Sequence, residues 1–459
     1  MAGIHQGIDD SIVALATPNG VGAIAVIRIS GLDAISIVNK VFKGKDLSKQ
    51  ATHTAHFGTI RDGAQVLDEV LVTIFKGPKS FTKENVVEIS THGSPYIARK
   101  VIQLLIRTGA RHALPGEFTK RAFLNGQFDL AQAEAVADMI LADSDASHQA
   151  AINQMRGGFS NEISELREKL IHFASMIELE LDFGEEDVEF ADRDDLKQLV
   201  DALKKVIGVL INSFDLGNVI KNGVPTVIAG KPNAGKSTLL NALLNEEKAI
   251  VSDIAGTTRD FIEDELNLGG VIFRFIDTAG LRETQDTIEA MGVERTQAKM
   301  KEAALILYLF DLVEDNITDI LREVNKLENQ GIPFLAIGNK IDLADEALVT
   351  QLEANAAFVL ISAKKGLNLE LLKDKVLEKA NLGDLNTSGT IVTNIRHYEN
   401  LFKTKEALEA VLIGLSNNVT GDFLAMDIRQ SLHYLGEITG EITTDDLLAN
   451  IFSKFCIGK

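Results

Sequence analysis

One octapeptide constrains this chain more than any other stretch of it. Gly230-Lys231-Pro232-Asn233-Ala234-Gly235-Lys236-Ser237 fits G-x-x-x-x-G-K-[ST], directly after the apolar, β-branched run Thr226–Ala229 and at the opening of a helix. Strand, glycine-rich loop and helix in that order form a phosphate cradle. The glycines let backbone N–H groups curl around anionic oxygens, and the helix N-terminus adds a favourable dipole. Lys236 can reach the β- and γ-phosphates of a bound nucleotide, and the Ser237 hydroxyl can ligate Mg²⁺, with Asn233, Ala234, Gly235 and Thr238 around them.

Three further segments extend the site, each behind a predicted strand. Asp277-Thr278-Ala279-Gly280 follows the strand Val271–Ile276, where a carboxylate holds Mg²⁺ through water and a glycine N–H senses the γ-phosphate. Asn339-Lys340-Ile341-Asp342 follows Phe334–Ile337, and the Asp342 carboxylate would accept from guanine N1–H and N2–H₂. Adenine lacks that donor pair, so the arrangement selects GTP over ATP. Ser362-Ala363-Lys364 follows Phe358–Ile361 and completes the base pocket. Four motifs at strand C-terminal ends place the ligand at the carboxyl edge of a parallel sheet. Gly256-Thr257-Thr258-Arg259-Asp260 occupies the place of a first switch loop, with Thr258 as the second hydroxyl ligand of Mg²⁺. Leu281 stands where many small GTPases have a water-orienting glutamine, so the catalytic polar group must come from elsewhere: Arg282, Glu283 and Glu289 are the nearby candidates.

The surrounding chain falls into different compositional regimes. Up to about residue 123, β-branched runs such as Ile24–Ile29 and Val70–Ile74 read as a mixed α/β domain, with a helix over Tyr96–Arg107. From Leu130 the apolar residues change to helical spacing. Leu130, Ala133, Val136, Ala137, Ile140 and Leu141 share one face. The spacing repeats in Ile163, Leu166, Leu170, Phe173, Ile177 and Leu181, and again in Leu196, Leu199, Leu203, Val206 and Leu210. Strand–helix alternation with the strands above plus Leu305–Phe310 then predicts a parallel sheet with crossover helices, after which helical periodicity resumes at Leu401, Leu408, Val411, Leu412 and Leu415. An α/β domain is thus inserted between two halves of a helical one.

Net charge is −20, which repels nucleic acid and anionic membrane in bulk and leaves polynucleotide contact to a local patch or a basic partner. The apolar run Ala303–Phe310 is eight residues, too short to span a bilayer. Met1 to Gln6 lacks the flank of a signal peptide, and Cys456 is the one cysteine, so a cytoplasmic location without membrane attachment is expected. The stretch Glu178–Asp195, with ten carboxylates and one arginine, reads as a solvated helix end and loop in preference to a metal or partner site.

Over its full length the sequence resembles the MnmE (TrmE) family of tRNA modification GTPases. The resemblance rests on Ala255-Gly256-Thr257-Thr258-Arg259-Asp260, on Pro115-Gly116-Glu117-Phe118-Thr119-Lys120-Arg121-Ala122-Phe123-Leu124-Asn125, and on the ending Phe455-Cys456-Ile457-Gly458-Lys459. It implies an N-terminal α+β, folate-binding and dimerisation domain over 1–123 and a helical domain over 124–221 and 383–459. Between the halves, a Ras-like P-loop GTPase domain occupies 222–382. It also implies a GTPase activated by K⁺, held by Asn233, Ser252, Ile254 and Thr257, with Glu289 positioning water and G domains that pair across their nucleotide faces. Thr278, Ala279 and Gly280 join Asp277 at the nucleotide. A cofactor of the 5-formyl-tetrahydrofolate type would meet Arg28, Glu88, Gln127 and Lys459; some members carry lysine where this chain has Gln127. The implied partners are a second copy of the chain, the flavoprotein MnmG (GidA) and tRNA, whose wobble uridine is modified at C5. A GTP-dependent ribosome-assembly or scaffold switch without covalent chemistry is the alternative reading.

At the C-terminus, Thr443-Thr444-Asp445-Asp446 has capping-box character and precedes Leu447, Leu448, Ile451, Phe452 and Phe455, so a short amphipathic helix should end just before Cys456. That cysteine is either buried and inert or a functional thiol near the folate. If Arg28, Glu88 and Lys459 line one pocket, this helix must fold back on the N-terminal domain, in the same protomer or across a dimer.

Overall fold

The computed structural model describes residues 10–182, 193–247, 264–276, 303–353, 355, 357–380, 390–417 and 419–458. They form two compact units. One contains the residues up to 137 with 154–204 and 400–459; the other contains 138–153 and 205–399.

In the first unit the described residues build a seven-stranded sheet: β1 (Ile12–Leu15), β2 (Ile24–Ser30), β3 (Phe42–Lys43), β4 (Thr54–Asp62), β5 (Gln65–Phe75), β6 (Val86–His92) and β7 (Arg111–His112), in the order β3-β4-β5-β6-β2-β1-β7. Neighbours are antiparallel except β1 and β7. Alternation along β5 decides which face is covered: Val70, Val72 and Ile74 are buried, while Glu69 and Leu71, which alternate with them, are exposed. Helices Ala34–Val41 and Pro95–Thr108 cover the buried face with Ile37, Val38, Val41, Val101, Leu104 and Leu105. Each such side chain contributes about 1.5–3 kcal/mol by leaving water. The second helix is the one predicted over Tyr96–Arg107; Pro95 fits its first turn and Gly109, at φ 123°, ends it.

The longer helices of the chain follow the predicted periodicity in part. Helix Gly158–Asp182 packs on Gly421–Thr439 through Ile163, Leu166, Leu170, Leu424, Ile428 and Leu435, and Arg167 ties the two by donating to the Leu432 carbonyl (2.6 Å) and the Glu441 carboxylate (2.5 Å). In helix Arg193–Asn212 the buried stripe is Leu196, Val200, Leu203, Ile207 and Leu210. Val206, assigned to that stripe from the sequence, is 42% exposed. Both sets advance by steps of three and four residues, so the 3.6-residue turn does not separate them, and packing places Val200 and Ile207 in the stripe. Ile140 and Leu141, at the end of helix Leu130–Leu141, are likewise exposed instead of buried.

The second unit holds a six-stranded sheet among the described residues: β8 (Val224–Ala229), β9 (Asp264–Leu268), β10 (Val271–Phe275), β11 (Leu305–Asp311), β12 (Phe334–Asn339) and β13 (Phe358–Leu360), in the order β13-β12-β11-β8-β10-β9. Every pair is parallel except β9 with β10. The sheet is therefore mixed and not wholly parallel: β9 joins β10 through Gly269 and Gly270, both left-handed at φ 57° and 84°, a hairpin that the sequence reading did not contain. Both faces are covered. Leu305, Leu307 and Leu309 of β11 pack with Leu239, Leu243, Leu372 and Val376, while Ile306, Tyr308 and Phe310 pack on the other side with Ile320, Val324 and Leu327. Burial on both faces explains why β11 reads as a continuous apolar run. Among the described residues no helix is long and apolar enough to cross a membrane.

Candidate functional site

The phosphate loop leaves the C-terminal end of β8, between β10 and β11, and enters helix Lys236–Glu247. Two of its glycines are required by packing. A Cβ on Gly230 (φ 151°) would lie 2.0 Å from the Leu309 carbonyl oxygen, and one on Gly235 (φ 98°) would lie 2.2 Å from Asn339 Nδ2. Asn233 adopts a left-handed backbone at φ 63° and is exposed, as is Thr238; Ala234 is buried, and Ser237 sits in the first helical turn. The Lys236 ammonium donates to the carbonyls of Gly230 (2.9 Å) and Lys231 (2.8 Å), so it lies inside the curl of the loop. Burial lowers its pKa from the ordinary lysine value, and a phosphate anion beside it would oppose that shift.

The base-reading segments meet this loop through one side chain. Asn339 is buried at the end of β12; its Nδ2 donates to the Ala234 carbonyl (2.8 Å) and its Oδ1 accepts from the Ala363 N–H (3.0 Å). Three segments far apart in sequence are thereby held at one spacing. Lys340 follows in a left-handed conformation (φ 68°), and its ammonium pairs with Asp311 at the end of β11. A hydrogen bond from Ser362 holds the Asp342 carboxyl below the ordinary aspartate range, with Lys365, 3.4 Å away, acting in the same direction. An ionised Asp342 can only accept, as a two-donor base edge requires. Ser362 and Ala363 are buried and Lys364 is exposed. Sequence reasoning missed Asp311 and Asp315; the available signal was an acid closing the apolar run of β11. Ser252, Ile254, Thr257, Thr258, Asp277, Thr278, Ala279, Gly280, Glu289 and Lys459 lie outside the described residues, as do Leu281, Arg282 and Glu283.

In the first unit, Arg28 and Glu88 are register partners on β2 and β6. Arg28 donates to Glu88 Oε1 from Nε (2.9 Å) and Nη2 (2.8 Å), reaches the Gly458 carbonyl from Nη1 (3.4 Å), and lies 5.9 Å above the Phe118 ring. The C-terminal segment thus folds back on the sheet within one chain. Helix Asp445–Ser453, capped by Thr444 accepting from the Leu447 N–H (3.2 Å), packs on helix Glu117–Leu124. The Gly116 N–H donates to the Cys456 carbonyl (3.3 Å). A Cβ on Gly458 (φ 95°) would meet the Leu15 carbonyl oxygen at 2.2 Å, so the tail lies against β1 as closely as glycine allows. Cys456 is exposed, which removes the buried alternative.

Beneath this contact Arg121 is buried, donating to Asp10 (2.6 Å), Glu117 (3.1 Å) and Glu84 (3.3 Å). Burial alone would raise the Glu117 carboxyl, but hydrogen bonds from Arg111 and the Leu114 N–H outweigh it and hold the group below its ordinary value. Gln127 is exposed and lines an open cleft of about 520 Å³ with His53, Phe75, Pro78, Lys79, Ser80 and Phe81; neither Arg28 nor Glu88 lines it.

A family model described as the GTP-binding protein TrmE N-terminus matches residues 11–127, and one described as the MnmE helical domain matches residues 130–456. The tRNA modification GTPase MnmE of Cytophaga hutchinsonii is 63% identical over 450 residues, covering 98% of both chains. This chain belongs to the MnmE family of tRNA modification GTPases. The MnmE of Christiangramia forsetii is 56% identical, covering 98% of this chain and 100% of its own. Among solved structures, the FeoB G-domain of Methanococcus jannaschii is similar over 34% of this chain and 98% of its own, at 22% identity and a TM-score of 0.24. An N-terminal domain, a helical domain and a P-loop GTPase domain make up the fold.

Proposed function

We propose that this chain is the GTP-hydrolysing, potassium-dependent subunit of a complex that modifies the wobble uridine of tRNA at C5, forming aminomethyl or carboxymethylaminomethyl groups with a flavoprotein of the MnmG type. The observation that carries the nucleotide half is Asn339, which fixes the phosphate loop to the Ser362–Lys364 loop beside an ionised Asp342. A site so joined reads guanine at one end and phosphate at the other. Family membership carries the tRNA half.

The residues present suit the groups this reading requires. Ser237 offers a hard hydroxyl oxygen in the first turn behind the phosphate loop, appropriate to Mg²⁺, with Thr258 as its second protein ligand. Asn233 turns an exposed amide toward solvent from a left-handed position, a neutral oxygen donor for K⁺ shared with Ser252, Ile254 and Thr257. A fixed monovalent cation there supplies charge beside the transferring phosphoryl group. Lys236 holds the β- and γ-phosphates while Glu289 orients water. For a reduced folate, Nε and Nη2 of Arg28 converge on Oε1 of Glu88, leaving Oε2 to accept from pterin N–H groups, with Gln127 and Lys459 toward the anionic tail. The division at residues 123, 221 and 382 belongs to the same reading, as do the homodimer through the N-terminal domain and the pairing of G domains.

The direct test is nucleoside analysis of tRNA from cells lacking the protein. C5-modified wobble uridines should disappear and return on re-expression; an unchanged nucleoside profile would favour a ribosome-assembly or scaffold switch. Hydrolysis by the purified protein should be faster in K⁺ than in Na⁺ at equal ionic strength, about tenfold or more if the cation stabilises transition-state charge. Asn233→Ala should erase that difference. Equal turnover of the wild type in both salts would remove the cation from the mechanism.

A further inference from the structure

Beyond the groups that would touch nucleotide, the carboxyl edge of the second sheet carries a buried acid that the proposed mechanism does not use. Asp311 closes β11 opposite Asn339 of β12 and is 3% exposed. Its Oδ2 takes the Lys340 ammonium and its Oδ1 accepts from the Val313 N–H at 2.9 Å. The Asp311 N–H in turn donates to Asp315 Oδ2 (2.9 Å), and Asp315 Oδ1 accepts from Nζ of Lys231 in the phosphate loop (2.5 Å). Lys231 closes the path, since its carbonyl accepts from Lys236 (2.8 Å).

Fold stability alone does not require such an arrangement. A buried ion pair is often no more stabilising than an apolar pair of the same volume. What the carboxylate achieves is geometric. Lys340 is a flexible side chain with many rotamers, and pairing its tip with Asp311 pins both ends of the stem at the ends of β11 and β12. A base must lie there if Asp342 reads it. Ordering that stem before the ligand arrives removes an entropy cost from binding.

We propose that Asp311 is a positioning residue for guanine-nucleotide binding, acting through Lys340, and that Asp315 with Lys231 anchors it to the phosphate loop. The inference rests on the GTP reading above. Asp311 touches no nucleotide in this scheme, so removing its charge should act only while Lys340 keeps its own.

The test compares the full-length wild type with Asp311→Asn, Lys340→Met and the double variant, titrating a fluorescent GDP and recording thermal melting on the same preparations. Asparagine keeps the acceptor for Val313 N–H and removes the charge. Asp311→Asn should weaken GDP by about tenfold, the scale of one charge-assisted contact. The double variant should bind no more weakly than Lys340→Met, because acid and lysine act as one unit. A shift in melting temperature with unchanged GDP affinity would overturn the proposal, leaving Asp311 a structural residue. So would a further tenfold loss on adding Asp311→Asn to Lys340→Met. Should Asp311→Asn alone fail to fold, the second comparison still decides, since the double variant removes both charges together and leaves neither unpaired. Wild-type protein that binds no GDP would overturn the GTP reading itself; wild-type binding with an indifferent Asp311→Asn overturns this inference alone.

Discussion

Asp342→Asn should weaken GTP binding by about 100-fold and admit xanthosine triphosphate in its place. Two hydrogen bonds from guanine N1–H and N2–H₂ to an ionised carboxylate are worth about 1.5–3 kcal/mol each, so losing the charge and turning one oxygen into a donor costs at least about 3 kcal/mol, or two decades in affinity. Xanthine presents an oxygen where guanine has its amino group, and the new amide N–H₂ can donate to it. A hydrogen bond from Ser362, with Lys365 beside it, holds this carboxyl below the ordinary aspartate range. Competition titrations of the two triphosphates against one fluorescent nucleotide measure the exchange of preference. Unchanged GTP affinity would mean that Asp342 does not read the base.

Removing Phe455 to Lys459 should abolish reduced-folate binding and tRNA modification while GTP turnover stays within about twofold of wild type. The tail supplies the Gly458 carbonyl to Arg28, and Gly116 donates to the Cys456 carbonyl, so the truncation strips one wall from the Arg28–Glu88 pair. Phe455 also packs on Phe452 at 5.3 Å between ring centres, and losing a half-buried aromatic costs about 3 kcal/mol locally. Gly458→Val is the gentler companion. Its Cβ would collide with the Leu15 carbonyl oxygen, lifting the tail end without shortening the chain. Calorimetric folate titration and GTP turnover on the same preparations separate the outcomes. Full folate affinity in both variants would take the tail out of the pocket. The nucleotide loops lie in the other compact unit, which is why turnover should survive.

What the sequence determined by itself is everything that repeats over short distances. The phosphate loop was legible because glycine, lysine and serine must stand at fixed offsets to wrap an anion. The strands Val271–Phe275 and Phe334–Asn339 were legible because burial on both faces demands a mostly apolar run, broken within the first only by Arg274, and the helix Asp445–Ser453 because its cap and stripe lie within a dozen residues. Even the assignment of Arg28 and Glu88 to one place came from resemblance and not from spacing. Their adjacency exists only because β2 pairs with β6 in one register.

Tertiary structure alone decided the rest. The antiparallel β9 was hidden because Asp264–Leu268 is only five residues long and holds just two apolar ones, Leu266 and Leu268, as an edge strand tolerates, and no long apolar run marks it. Val206 and Ile207 are equally apolar neighbours, and only the packing of helix against helix determines which is buried. Asp311 meets Lys340 across 29 residues of chain, and Arg28 meets Gly458 across 430. Pairings at such separations are chosen by the closing of the fold, because a charged side chain carries no local preference for one distant partner over another. The chain's chemistry was written in its loops. The distances that let those loops act together were set by the sheets that carry them.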